Sequence, residues 1–353
     1  MPARGRSNRL VPAGLVAVVV AAPLLTSIDA AARGVTPVAV AHATPPVAAA
    51  PPRVTPPVGS AARSSGIRAF TLARDPVPGP PTIPAGGYQV GVRHLALSRG
   101  ATRPLPTIVW YPTVKTGPHA PPGELSTVAP GRFPLILLSH GLYGLPESFD
   151  PLARRWVHAG FVVAAPTYPH TSTLAPKVER ADIPNQPADA SYVITQLLRL
   201  ADTSGDPFAG HLDPRLVAAA GHSAGGYTTA GLLSSRRDSR VRAGIIMAGA
   251  GMGTAAFHGP VAPVLFLHGN ADRIVSYARG RATFDRCPWP KAFVTFFGQG
   301  HGDYLAPGHA GFEQSVAATI DFLRWALYRD GMARGRLWLD ATSPGVSSVD
   351  VRL

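Results

Sequence analysis

The stretch Gly221-His222-Ser223-Ala224-Gly225 limits what this chain can fold into more than any other part of it. A short apolar run, Leu216-Val217-Ala218-Ala219-Ala220, precedes it and reads as a buried strand. Gly226 follows, and then Tyr227–Leu233, which reads as a helix. A serine on a sharp turn between strand and helix stands above the sheet with its hydroxyl exposed. Glycines flank it because a Cβ at either place would strike neighbouring backbone. The helix that starts there turns its first amides toward the serine, which favours negative charge at that point. The bland alternative is a glycine-rich turn closing a βα unit, with Ser223 as a helix N-cap. The strand–turn–helix setting favours a nucleophile.

The rest of the chain supplies the frame such a turn needs. Tyr88–Leu97 and Arg103–Tyr111 predict two strands joined around Gly100, the second rich in β-branched and aromatic residues. Thr113–Arg132 is polar and rich in proline and glycine, hence a loop. Phe133–Leu138 is continuously apolar, as strands inside a parallel sheet are. A helix over Phe149–Ala159, a strand over Phe161–Ala165 and a helix over Ala188–Ala201 follow. Beyond the serine come strands at Val241–Met247 and Val264–His268, a helix at Tyr277–Arg286 and a last strand at Ala292–Phe297. The chain closes with a long helix at His309–Leu327 and a short one at Met332–Ala341. Strands alternating with helices predict an α/β fold with a mostly parallel central sheet, helices on both faces and no large lid domain. The opening strand pair forms its antiparallel edge. The polar loop Thr167–Asn185 is the best candidate for a small flap over the site.

A serine hydroxyl is a weak nucleophile and needs a base, and the base needs a carboxylate to fix its tautomer. In a parallel sheet the loops after the strands share one rim, so the partners belong just after later strands. Asp272 in His268-Gly269-Asn270-Ala271-Asp272 and His301 in Gly300-His301-Gly302 stand in those places, one or two βαβ units along. Asp303 and Asp238 are fallback acids. Asp303 is close to His301 in sequence, and Asp238 reads as exposed among Arg236, Arg237 and Arg240. His140, His222 and His268 each flank a glycine at a strand end and are expected to pack or hydrogen-bond around the turns. Two amide donors are needed for an oxyanion. The Ala224 N–H is one, and the Leu142 N–H in the loop Ser139-His140-Gly141-Leu142 is the other, with Tyr143 as an alternative donor. Tyr143 and His222 are the candidate lining of the substrate pocket.

These residues resemble the α/β-hydrolase fold over about 88–327. Trp110-Tyr111-Pro112, Ser139-His140-Gly141-Leu142, Gly221–Gly226, His268–Asp272 and Gly300-His301 together resemble one branch of it. That branch holds secreted serine esterases related to platelet-activating-factor acetylhydrolase, cutinase-like polyester hydrolases and dienelactone hydrolase. The resemblance implies a triad of Ser223, Asp272 and His301 with Leu142 and Ala224 as oxyanion donors, and an ester substrate that is a small molecule, a lipid or a polyester. Ala224 stands where cutinase-like enzymes carry Met, and Ser223 where dienelactone hydrolase carries Cys. The expected activity is carboxylic ester hydrolysis without metal or cofactor. An acyltransferase on the same triad and a silent binding protein on the same fold are the alternatives.

The N-terminal region carries a different message. Arg4, Arg6 and Arg9 precede an apolar stretch from Leu10 to Leu25, and Ala30-Ala31-Ala32 offers small residues for cleavage. Pro12, Gly14 and Pro23 interrupt the stretch, which is shorter than the roughly 20 residues of a spanning helix. Residues 1–33 therefore read as a secretory signal, with a membrane anchor as the alternative. Residues 34–81 are rich in Ala, Pro, Val and Ser and read as a linker, which leaves 82–353 as a single catalytic domain. Of the net charge of +13, three units leave with residues 1–33. The remaining excess is nearly all arginine and favours weak attraction to anionic surfaces. No arginine cluster is interleaved with aromatics, so no nucleic-acid partner is expected. Cys287 is the single cysteine, so no intrachain disulfide forms. If the signal reading holds, N-terminal sequencing of protein recovered outside the cytoplasm will place the mature start near Arg33. An intact Met1–Leu25 segment in a membrane fraction would instead support the anchor.

Overall fold

The computed structural model describes residues 79–114, 127–251 and 257–353. They all lie in the second of two units, Gly66–Leu353. The signal and nearly all of the linker lie outside the described residues.

The architecture is α/β, built on one nine-stranded sheet in the order β1-β2-β4-β3-β5-β6-β7-β8-β9. Strands β1 (Gln89–Ser98) and β2 (Pro104–Thr113) form an antiparallel hairpin at one edge. Strand β2 then pairs antiparallel with β4 (Val162–Pro166). The interior is parallel: β4 with β3 (Phe133–Ser139), β3 with β5 (Leu212–His222), and on through β6 (Val241–Met247), β7 (Val264–Gly269) and β8 (Lys291–Phe296).

Side-chain alternation along these strands explains the layers. Ile136 and Leu138 of β3, with Leu216, Ala218 and Ala220 of β5, face one core; Leu135, Leu137, Val217 and Ala219 face the other. Helices α1 (Asp150–His158), α5 (Phe312–Tyr328) and α6 (Gly331–Asp340) cover the first face through Trp156, Phe322 and Leu337. Helices α2 (Gln186–Asp202), α3 (Ala224–Leu232) and α4 (Tyr277–Arg286) cover the second through Val193, Leu232 and Phe284. Both faces of the inner strands are therefore dry, and their near-continuous apolar runs follow from that. No helix among the described residues is long and apolar enough to cross a membrane.

The sheet departs from expectation at its far edge. The strand at Ala292–Phe297 was expected to be the last, but β9 (Ser347–Arg352) adds antiparallel to it, from Lys291↔Arg352 to Phe296↔Ser347. Its sequence, Ser-Ser-Val-Asp-Val-Arg, holds only two large apolar residues, and an edge strand needs few. The pairing covers the otherwise open flank of β8, whose residues are all buried. Helix α6 starts on Asp330, whose carboxylate accepts from the Met332 and Ala333 amides.

The loop read as a flap is instead fastened to the frame. Arg103 at the start of β2 donates to both Asp182 and Asp189, and Arg99 donates to Asp189 as well. Inside the same loop Thr171 is buried, and Gln186 donates to its hydroxyl at 2.7 Å. Burial pushes the Asp182 carboxyl up, but hydrogen bonds from Arg103 and Asn185 outweigh it, so the group titrates below its ordinary value. The stabilisation from this shift is complete above the unfolded value of about 3.9 and disappears as pH falls through the lower folded value. Arg103→Ala leaves the wholly buried Asp189 side chain with Arg99 alone. We expect a loss of about 3–5 kcal/mol in urea unfolding at neutral pH, shrinking in acid as the Asp182 carboxyl protonates. An unchanged midpoint would show that the loop is held by packing instead.

Candidate active site

Strand β5 ends at His222, α3 begins at Ala224, and the single residue between them is Ser223. Its backbone has φ 55 and ψ −115, a region that non-glycine residues avoid. Such a conformation costs on the order of 1–3 kcal/mol and persists only where surroundings enforce it. Here the Ser223 N–H donates to the Met247 carbonyl at 2.9 Å, and the Tyr227 N–H donates back to the Ser223 carbonyl at 3.2 Å. The glycines allow the tight approach. A Cβ on Gly221 would overlap the Gly225 carbonyl, and one on Gly225 would overlap the Ser139 carbonyl of β3. Gly226 lies against Gly249 beyond β6, where a Cβ would come within 2.9 Å of that backbone.

Asp272 follows β7, and His301 follows β8. The His301 Nδ1–H donates to Asp272 Oδ2 at 2.8 Å. The other oxygen, Oδ1, accepts from the Ile274 and Val275 amides at 2.8 and 3.0 Å. Burial pushes this carboxyl up, yet the bonds from His301, Ile274 and Val275 win and hold it below the usual carboxylate value. It is therefore ionised at neutral pH. With Nδ1 committed to Asp272, the Nε2 of His301 carries the lone pair. Ser223 and His301 line one cavity of about 290 Å³, together with Gly141, Leu142, Phe149, His222 and Leu305.

The expected oxyanion donors differ in how their amides are used. The Tyr143 N–H donates to the Thr171 carbonyl at 2.7 Å, so it is spent. Leu142 borders the cavity, and no backbone acceptor takes its N–H among the described residues. Ala224 is the first residue of α3, where the helix itself offers its N–H no acceptor. Tyr143, expected in the pocket lining, stands outside it: the residue is 62% exposed and its φ is 61. His222 does border the cavity.

His140 and His268, the other two histidines beside strand-end glycines, are tied to turns, and their partners set the tautomers. His140 donates from Nδ1 to the Gly141 carbonyl, and its Nε2 accepts from the Tyr168 N–H at 3.0 Å. Burial pushes its pKa down to about 4. His268 donates from Nε2 to the Val275 carbonyl at 2.8 Å and lies 3.2 Å from Asp272 Oδ2. Burial lowers its pKa too. Reading from sequence missed this additional imidazole on the Asp272 carboxylate, although the i, i+4 spacing of His268 and Asp272 was visible. It also missed Phe149 and Leu305 as cavity walls, since neither sits in a recognisable motif.

Both fallback acids are engaged elsewhere. Asp303 is exposed and accepts from the Gly300 N–H at 2.8 Å. Asp238, expected to be exposed, is buried against Arg240 and Ser191. One of the arginines that suggested solvent, Arg240, donates to both of its carboxylate oxygens. None of the Thr167–Asn185 loop lines the cavity. Among the described residues no group of three or more His, Cys, Asp or Glu is placed to hold a metal ion.

No protein-family model matches this chain, and no curated protein matches it. The chemistry of the site rests on its own geometry. Asp272→Asn should slow modification of Ser223 by a fluorophosphonate by on the order of 10⁴, the loss that a wrong histidine tautomer causes in a serine protease triad. Asp303→Asn should change the rate by no more than a few-fold. The reverse pattern would move the acid to Asp303.

Proposed function

We propose that this chain is a secreted serine hydrolase of the α/β-hydrolase fold that cleaves carboxylic esters through an acyl-enzyme. One observation carries the reading. Ser223, held at a strained strand-to-helix turn, shares a cavity with a histidine whose far nitrogen is fixed by a buried carboxylate. A serine alone at such a turn is unreactive, and a His–Asp pair alone is a common structural contact. Their convergence on one cavity is what acyl transfer requires.

Ser223 Oγ attacks the ester carbonyl carbon while His301 Nε2 takes its proton. Asp272 holds the imidazole in that tautomer and stabilises the imidazolium that forms. The carbonyl oxygen becomes an oxyanion, and the Leu142 and Ala224 N–H groups are the donors directed to it. His301 then returns the proton to the departing alkoxide, and the alcohol leaves an acyl group on Ser223. Water attacks that acyl group with His301 again as base, and collapse frees the acid and the serine.

The cavity walls favour an uncharged acyl group. Leu142, Phe149, Leu305 and Ala306 are apolar, and among the described residues no Lys or Arg lines the space. The N-terminal arginines, apolar stretch and small residues support export.

Wild-type protein is expected to hydrolyse p-nitrophenyl esters, and Ser223→Ala to abolish that activity. A fluorophosphonate should label Ser223 alone. Asp272 is ionised and His222 neutral across the neutral range, so neither should add an ionisation to the rate profile there. Labelling of a different serine, or full activity in Ser223→Ala, would remove the reading.

A further inference from the structure

His222 fits a slot between three loops that meet at the cavity. Its Nε2 lies 3.1 Å from the backbone carbonyl of His301. A carbonyl only accepts, so Nε2 carries the proton and donates. Its ring centroid is 4.7 Å from that of His301 at an angle of 50°, and 6.1 Å from that of Phe149. On the side of the oxyanion loop, a Cβ on Gly141 would come within 3.3 Å of Nδ1. On the side of the base, a Cβ on Gly302 would come within 2.7 Å of Nε2. Gly302 has φ 106, so glycine suits both the backbone and the space there.

The loop carrying His301 is held within itself by short-range bonds, Gly300 N–H to Asp303 Oδ2 and Gly302 N–H to the Gly300 carbonyl. Gly298, Gly300 and Gly302 recur through it, and two of them have positive φ. Its ties to the β7 loop are the Ala271 N–H to Gln299 carbonyl bond and the Gly298 N–H to Asn270 side-chain bond. Those ties, with Asp272, fix the base relative to the acid. Among the described residues, the His222 bond is the hydrogen bond that fixes the base loop relative to the turn bearing the nucleophile.

We infer that His222 is a positioning residue: its Nε2–H holds the His301 main chain at the distance from the Ser223 turn at which the two side chains can exchange a proton. The inference rests on the serine hydrolase reading above. His222 takes no proton in the reaction and does not replace His301. Burial pushes its pKa down to about 3, with the neighbouring His301 adding to the effect. It therefore adds no second positive charge beside the imidazolium that forms on His301. A fixed neutral donor serves the base, whereas a titrating one would oppose it.

The donor's position chooses the test. The Nε of Gln can reach the place of His Nε2 and donate there, whereas Asn is too short, and Phe keeps the ring without a donor. With p-nitrophenyl acetate, His222→Gln is expected to keep kcat within about fivefold of wild type. His222→Asn and His222→Phe are expected to lose about 30- to 100-fold in kcat, the scale of a small misplacement of reacting groups, with KM within about threefold. The acid limb of the pH profile should keep its position in His222→Gln, since the base is unchanged. Circular dichroism melting identifies any variant that has lost its fold, and the comparison then rests on the Gln and Phe variants that keep it. If Phe retains activity and Gln loses it, ring packing is the whole role of His222, and the inference is overturned. If Gln is as inactive as His301→Ala, His222 takes part in proton transfer, and the inference is again overturned. Failure of the underlying reading has a different signature: Ser223→Ala and His301→Ala would then leave hydrolysis intact.

Discussion

The contact of Gly225 with the carbonyl of Ser139 is the constraint on which the rest depends. Helix α3 can start directly above the sheet only if its first turn lies on β3, and no side chain fits between them. The same crowding presses Gly221 against Gly225 and forces Ser223 into positive φ. The strain is local, and parallel pairing on both flanks of β5 resists it. Once β5 is held between β3 and β6, the loops after β3, β7 and β8 open on the same rim, because those strands run the same way. The loop of Gly141 and Leu142, Asp272 and His301 are thus brought to the same rim as Ser223, from positions widely separated in the chain.

Much of this was visible in the sequence because each feature had a physical reason to leave a mark. A strand buried on both faces has to be apolar along its length, so Phe133–Ser139 and Val264–Gly269 announced themselves. A turn without room for Cβ has to carry glycine, so the surroundings of Ser223 did too. The features that stayed hidden leave weak marks. Strand β9 is a half-exposed edge with two valines, and its existence depends on β8 needing cover. Asp238 lies among arginines, which reads as solvent in one dimension and as a buried ion pair in three. Phe149 and Leu305 become cavity walls only through the way α1 and the segment after His301 pack. The fastening of the Thr167–Asn185 loop depends on Arg103, which comes long before it in the chain.

The electrostatic arrangement of the site follows from burial in opposite directions. Desolvation disfavours charge on every group near Ser223, and the outcome depends on how many donors or acceptors each group finds. His140 finds one carbonyl and one amide, which satisfy a neutral ring and leave nothing to stabilise a cation. His222 finds a carbonyl on one nitrogen and another imidazole beside its face, so it stays neutral as well. Asp272 finds two amides and one imidazole N–H, with a further imidazole at 3.2 Å, and that set of donors keeps it charged in spite of its buried side chain. The Asp272 carboxylate thus lies against Nδ1 of His301, with the neutral ring of His222 beside it. In the proposed acyl transfer, proton transfer from Ser223 would create a cation next to its own counter-ion and an anion next to the start of α3, so neither charge would have to wait for solvent to reorganise. Donors and acceptors fixed by the packing of four loops thus do what water would otherwise have to do.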